Sequence, residues 1–302
     1  MLSPFDSYRD IIPDYETFVE ALQSPLPTHL RVNLLKTEIA PVVRKMNARG
    51  VTLIPLSEKD PSLFFAPDPG LRGNFLDHVL GNIHFQALTS CLASLVLFPQ
   101  PESLVLDLCA SPGGKSSHMA QLMNNTGVIV ANEPDLRRQV PLSHNLSRLG
   151  VLNTVMTRYQ AQEFTLRQNF DYVLADVPCS GEGRFRFPGK TMWYGESRRA
   201  EKLLELQKRI ISRAFDLLRT GGVMVYSTCT YNPLENEGIV DALLKERRDA
   251  ELLPIECGFS FTPGVLSWNK KVYERELQKA ARFYPHQLDS VGFFMAKITR
   301  RG

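Results

Sequence analysis

The chain has 302 residues, enough for one large domain or two ordinary ones with a full core. At 43% hydrophobic and 22% charged it has the composition of a folded globular protein, which excludes a disordered or fibrous chain. A net charge of +3 is too weak to imply a nucleic-acid partner by itself. No apolar run approaches the length of a membrane span, and Met1–Asp6 has no basic stretch leading into an apolar core. Neither a membrane partner nor a secretory signal is therefore expected. Cys91, Cys109, Cys179, Cys229 and Cys257 are odd in number and widely spread, and the six histidines lie far apart. That pattern predicts no disulfide framework and no metal site, and it suits a reducing cytoplasm. Nothing calls for an obligate oligomer, so a monomer is expected.

The first 80 residues mix strand-like pieces such as Leu30–Leu34 with a helix near Pro41–Arg49. They read as a small α+β domain, joined to residues 81–302 through a helix at Gln86–Phe98. From Ser103 the pattern alternates. Ser103–Leu108 reads as a buried parallel strand, Lys115–Met123 as a helix and Gly127–Asn132 as a strand. A helix follows over Asp135–Leu149, with Gly150 as its C-cap. Val155-Met156 marks a weak third strand and Asp171–Ala175 a fourth. A long helix from about Arg198 to Leu218, stopped by Gly221-Gly222, precedes a strand at Val223–Tyr226. Val291–Ile298 reads as a final, antiparallel edge strand. This order predicts a doubly wound α/β sheet of the Rossmann-like kind.

Basic residues concentrate between Arg184 and Arg213 (with Arg186, Lys190, Arg198, Arg199, Lys202, Lys208 and Arg209) and again from Lys270 to Arg301. Such clusters are either solvated helix faces or phosphate contacts, and charge alone leaves both open.

Two predicted strands each end in a cysteine motif, Asp176-Val177-Pro178-Cys179-Ser180-Gly181 and Ser227-Thr228-Cys229-Thr230. Strand ends of an open α/β sheet converge on one crevice, so the two thiols are expected to share a site. A shared pair suggests covalent chemistry with separate attack and release roles. The plainer reading is two small buried residues with inert thiols.

The first strand runs into Cys109-Ala110-Ser111-Pro112-Gly113-Gly114-Lys115. Glycines here permit close ligand approach, and the following helix N-terminus offers unpaired N–H donors. A phosphate-binding P-loop would need a glycine where Cys109 stands, and no G-x-G-x-x-G loop is present. Glu133, at the end of the second strand, is placed to accept both hydroxyls of a ribose. A glycine loop with an acidic second strand end, but without phosphate-type glycines, favours an adenosine ligand lacking a pyrophosphate. S-adenosylmethionine fits that description.

These residues in order, with Ala131-Asn132-Glu133, Glu182-Gly183 and Glu235-Asn236-Glu237, resemble the RsmB/RsmF/NSUN family of RNA cytosine-C5 methyltransferases. The likeness extends to Arg31-Val32-Asn33-Leu34-Leu35-Lys36, similar to the family's N-terminal RNA-recognition segment, and to Tyr284-Pro285-His286 with Gly292-Phe293-Phe294. The bacterial RsmF type, which acts on small-subunit ribosomal RNA, is the nearest in flavour, without its C-terminal RNA-binding domain. The resemblance implies a class I methyltransferase sheet at 81–302 behind an RNA-recognition domain at 1–80. It implies that Cys109, Ala110, Ser111, Pro112, Gly113, Gly114 and Lys115 line the cofactor's methionine and that Glu133 holds its ribose. Asp176 would face the methyl-transfer site and target base. Gln160 stands where the family usually has an Asp for the adenine amine, and its amide oxygen can still accept from that amine. Cys229 would be the nucleophile and Cys179 would assist release.

That chemistry explains the residue types. Thiolate addition at cytosine C6 makes an enamine whose C5 can take a methyl group, and a proton at N3, from Asp176 or Lys115, assists the addition. Cys179, or Asp176 through water, would then remove the C5 proton. The expected partner is RNA, ribosomal RNA first and transfer RNA second. A DNA cytosine-C5 methyltransferase would use Cys179 as nucleophile and leave Thr228-Cys229-Thr230 without a role. A non-catalytic RNA-binding or ribosome-assembly factor is the other alternative.

Overall fold

The computed structural model describes residues 3–67, 75–165, 169–187 and 197–302, and side chains in the last segment from Ala200 onward. After α1 (Tyr15–Ala21), a four-stranded antiparallel sheet forms from β1 (Thr28–Val32), β2 (Ile54–Pro55), β3 (Leu63–Ala66) and β4 (Ile83–Phe85), in the order β2-β3-β1-β4. Its apolar face, with Leu30, Val32, Phe64 and Ile83, buries Val42 and Met46 of α2 (Ile39–Ala48). This is the expected small α+β unit. Its last strand lies beyond residue 80, so the sheet ends at Phe85 rather than at the 80/81 division. The segment before β1 departs from that division too. Phe5, Tyr8, Ile12, Tyr15 and Phe18 pack instead with Tyr231, Tyr284 and Phe185 of the larger unit.

The larger unit is a nine-stranded sheet flanked by helices on both faces. After α3 (Leu76–Val79) and α4 (Leu88–Leu97) come β5 (Leu104–Asp107), α5 (Gly114–Leu122), β6 (Val128–Asn132), α6 (Leu136–Arg148) and β7 (Thr154–Thr157). Then follow β8 (Phe170–Asp176), α7 (Ser197–Asp216), β9 (Leu218–Thr228), α8 (Glu237–Glu246) and β10 (Ala250–Leu253). The chain closes with short β11 (Thr262–Pro263), a hairpin of β12 (Ser267–Trp268) and β13 (Lys271–Val272), β14 (Ala281–Phe283), α9 (Pro285–Leu288) and β15 (Phe293–Arg300). The main path runs β11-β14-β15-β9-β8-β5-β6-β7, with β10 paired to β15.

Strands β5 to β9 are mutually parallel, and the apolar side chains of the central β5, β8 and β9 are packed on both faces, whereas the outer β7 exposes Val155. One face packs Ile210, Ile211, Phe215, Ile239 and Leu243 of α7 and α8 against Val173, Met224 and Phe294. The other packs Leu92 and Val96 of α4 and Met119 of α5 against Val105, Leu174 and Val225. The doubly wound α/β architecture is therefore present. Strand order reverses between β5 and β8, and ligand crevices of open sheets form at such a switch point.

Two sequence expectations need correction. Gly221 and Gly222 do not stop the long helix, which ends at Asp216. They lie inside β9, where Phe170 pairs with Leu218 and Tyr172 with Val223, so the strand bulges around a left-handed Gly221 (φ 74°). The final strand is antiparallel as expected but is not an edge. β15 pairs with β9 on one side and with β14 and β10 on the other, as befits buried Phe293, Phe294, Met295, Ala296 and Ile298.

Candidate active site

Two turns at adjacent strand ends bring the thiols together. Val177 at the end of β8 donates its N–H to the Ser227 carbonyl of β9 (3.1 Å), and Gly183 donates to the Cys229 carbonyl (2.9 Å). The Cys179 and Cys229 sulfurs lie 3.4 Å apart, and the Cys229 N–H donates to Cys179 Sγ at 3.3 Å. The expected convergence holds. Accepting a hydrogen bond from Cys179 lowers the Cys229 thiol below its ordinary value, against burial and the Asp176 charge and with help from Lys115 and Arg184. The same bond, then burial, pushes Cys179 well above it. The pair thus favours a thiolate on Cys229, which speaks against two inert thiols.

Beside it, the Lys115 ammonium donates to Asp176 Oδ2 at 2.7 Å, and Ser227 Oγ donates to Oδ1 at 2.8 Å. Burial works against the Lys115 charge, but the Asp176 carboxylate outweighs it and raises the lysine above its usual range. Asp107, at the end of β5, is pushed up to about 6 by burial, although Ser116 Oγ donates to it at 2.6 Å. Cys109 is driven upward by burial and by the Asp107, Asp176 and Glu133 charges, so its thiol stays neutral.

The remaining predicted residues form one continuous rim. Gly113 adopts a left-handed φ of 99° as N-cap of α5, with its N–H bonded to the Ala110 carbonyl (2.7 Å). No side chain caps that helix, which leaves its first-turn N–H groups without a side-chain acceptor. Pro112 is held by Asn145 Nδ2 on its carbonyl (2.9 Å), and Ser111 Oγ donates to the Arg138 carbonyl (2.8 Å). Glu133 is buried at the end of β6, where one oxygen takes the Asp135 N–H (3.0 Å) and the other pairs with Arg138 (3.2 Å). Gln160 is exposed and lines a groove of about 550 Å³ with Pro134, Asp135, Leu136, Arg137 and Arg158. The groove begins at Pro134, the residue after Glu133.

Sequence reasoning missed the supports. Arg138 bridges Glu133 and the Ser111 carbonyl (3.3 Å), and a basic residue one helical turn beyond an acidic strand end was a usable signal. Glu235 accepts from the Ser180 N–H (2.9 Å), from Gln207 Nε2 (3.0 Å) and from Asn232 Nδ2 (3.2 Å), fixing the Cys179 turn. Glu237 forms a buried bidentate pair with Arg282, whose Nη1 also donates to the Tyr231 carbonyl (3.0 Å). The charge clusters resolve into structural duties. Arg209 pairs with Glu163, Arg213 donates to the Phe164 carbonyl, Arg300 pairs with Asp249 and Arg301 with Glu251. Arg184, Lys202, Lys208, Lys270 and Lys271 remain exposed, while Lys190 and the Arg198 and Arg199 side chains lie outside the described residues.

The Arg31–Lys36 segment also turns inward. Arg31 is fully buried on Ser117 and Gln121 of α5, Asn33 donates to the Gly81 and Leu149 carbonyls, and Lys36 to those of Leu80 and Arg148. Asp60 meets His118 at 2.9 Å in the same buried layer. These residues join the small unit to the sheet domain. Among the described residues, no group of three His, Cys, Asp or Glu side chains could hold a metal ion, and no helix is long and apolar enough to cross a membrane.

Residues 94–299 match the family model described as 16S rRNA methyltransferase RsmB/F. The chain belongs to this family. It is 35% identical over 298 residues to a tRNA (cytosine(49)-C(5))-methyltransferase of Pyrococcus abyssi, covering 96% of this chain and 93% of that protein. It is also 35% identical over 289 residues to the human 28S rRNA (cytosine(4447)-C(5))-methyltransferase, covering 94% of this chain but 35% of the relative. The chain thus spans about a third of that relative's length. A solved methyltransferase homolog from Pyrococcus horikoshii superposes with a TM-score of 0.85 at 32% identity, covering 98% of this chain and 94% of the other. The resemblance read from the motifs and the class I methyltransferase sheet both stand.

Proposed function

We propose that this chain is an S-adenosylmethionine-dependent RNA cytosine-C5 methyltransferase, acting as a monomer in the cytoplasm on ribosomal RNA. The observation that carries the reading is the thiol pair at 3.4 Å beside the Lys115–Asp176 ion pair. The five free cysteines suit a reducing compartment.

The crevice fits the cofactor. The uncapped first turn of α5 offers N–H donors to its carboxylate, and Cys109–Lys115 would line its methionine. Glu133 would take the ribose hydroxyls as Arg138 swings aside, with Gln160 accepting from the adenine amine. When bound, the cofactor supplies an electrophilic methyl group. The chain's own residues do the rest. Cys229 adds to C6 of a base lifted from its stack, while the Lys115 ammonium, held by Asp176, donates toward N3. The Asp176 carboxylate, through water, can take the C5 proton, after which the C–S bond breaks and returns the thiolate, with the Cys179 S–H placed to donate to the departing sulfur.

Since Arg31 and Asn33 are buried and spent on internal bonds, RNA contacts of the N-terminal unit would come from its other residues, the exposed Lys36 among them. Covalent trapping in cells tests the whole reading. Cys179→Ala should attack and methylate but stall, leaving protein joined to RNA at one cytosine. Cys229→Ala should give neither adduct nor 5-methylcytosine. Sequencing to the stop site names the RNA, and an adduct on transfer RNA would replace the ribosomal assignment. Adduct with the Cys229 variant alone would invert the roles, and cofactor binding without any adduct would favour a binding factor.

A further inference from the structure

The aromatic segment before β1 reaches the carboxylate beside the catalytic turns through the Tyr8 hydroxyl. Tyr8, on a 3-10 turn at Asp6–Tyr8, is buried against Phe5 (ring centroids 6.5 Å) and Trp268 (5.9 Å). Its hydroxyl donates to Glu182 Oε1 at 3.1 Å. The other oxygen, Oε2, accepts from Thr230 Oγ1 (2.9 Å) and from the Tyr231 N–H (3.2 Å). Thr230 Oγ1 has spent its only proton on Glu182, so Ser180 Oγ, 2.6 Å away, must donate to it. One carboxylate therefore ties the residue after Cys229 to the residue after Cys179. The Tyr8 hydroxyl holds that carboxylate from a segment remote in sequence.

We propose that Tyr8 is a positioning residue for the nucleophile, and that the segment through Phe18 is a strap setting the distance between the two thiols. The inference rests on the proposed methyltransferase reading. Three physical points support it. Glu182 is held in a largely buried site where burial raises its carboxyl, so losing a donor cannot be made good by water at no cost. The two contacts between the cysteines, Sγ to Sγ and the Cys229 N–H to Cys179 Sγ, both lie on the chain next to Thr230, so a small shift of the Thr230–Tyr231 backbone lengthens them. The strap is otherwise held by the Tyr284 hydroxyl on the Ile11 carbonyl (3.2 Å) and by apolar packing, with Phe18 meeting Tyr231 at 5.2 Å and Phe5 at 5.8 Å, so removing the Tyr8 hydroxyl leaves its docking intact.

The test compares Tyr8→Phe and Glu182→Gln with the full-length wild-type protein. Single-turnover methylation should fall about tenfold in Tyr8→Phe, with RNA and cofactor KM unchanged. Iodoacetamide labelling of Cys229, read by peptide mass across pH, should show its midpoint rising by about half a unit or more, in step with the rate. Glu182→Gln should move both in the same direction. Wild-type rates and midpoints in both variants at equal folded fraction would overturn the proposal, as would a raised RNA KM with unchanged turnover. The labelling arm needs neither RNA nor cofactor. A midpoint shift in a protein that never forms 5-methylcytosine would therefore sink the activity reading while sustaining the positioning role.

Discussion

The two halves of the crevice are built in opposite styles. On the β5–β6 side the functional groups rest on few, exchangeable bonds: an uncapped helix start, an exposed Gln160, and a Glu133 oxygen held by a half-exposed arginine. On the β8–β9 side nearly every polar atom around the thiols is committed, through Glu182, Glu235 and the Glu237–Arg282 pair. In the proposed reaction the first half would release its ligand after each turnover. The second must hold two sulfur atoms at fixed separation throughout. A site for exchange is left with spare donors and acceptors, and a site for bond-making is wired shut.

Removing one partner of the buried ion pair should break the rigid half most severely. Arg282→Met leaves the Glu237 carboxylate buried and unpaired and frees the Tyr231 carbonyl two residues after Cys229. Stability should fall by about 3–5 kcal/mol, read by urea unfolding. Replacing Glu237 as well, with Leu, should recover part of that loss. A loss under about 1 kcal/mol in the single variant would mean the turn does not depend on this pair.

A titration sharpens the boundary between the halves, where β5 ends. Burial raises the Asp107 carboxyl from 3.8 to about 6, against the Ser116 hydrogen bond and the Lys115 charge. The folded protein thus binds this proton more tightly than the unfolded chain. Its contribution is fully present below about pH 4 and is lost as pH rises through about 6. Asp107→Asn abolishes the titration, so between pH 4 and pH 7 the variant should gain on wild type by on the order of 2 kcal/mol. A stability difference that stays flat across that range would show that Asp107 titrates normally.

The contrast also explains what the sequence could disclose. Buried parallel strands write themselves as apolar runs, so β5, β6, β8 and the sheet class were legible, as were both cysteine turns at their ends. β15 was legible as a strand but not as an interior one, because burial by β10 and β14 depends on segments over ten residues away. The glycines of β9 look alike as helix stop and as strand bulge, and only the Phe170 register separates the two. Arg31 and Asn33 carry hydrogen-bonding groups that fit RNA or protein equally, and their burial, Arg31 on α5 and Asn33 on the carbonyl that ends α6, was invisible in one dimension. The wiring of the thiols was least legible of all. Tyr8 meets Glu182 across 174 residues, and no local pattern announces such a pair.

The smallest expected effect lies on the exchangeable half and tests whether it binds adenosine as proposed. Gln160 begins the short turn at Ala161–Glu163, and its exposed side chain stands on the groove wall opposite no fixed partner among the described residues. Gln160→Ala should therefore leave stability unchanged and weaken S-adenosylmethionine binding only about twofold to tenfold, the worth of one neutral hydrogen bond. Gln160→Asp should tighten it, because an ionised acceptor bonds an amine more strongly than an amide oxygen does. Calorimetric titration with the cofactor reads both variants. Equal affinities in all three proteins would remove Gln160 from the adenine site and leave the ribose end to carry recognition.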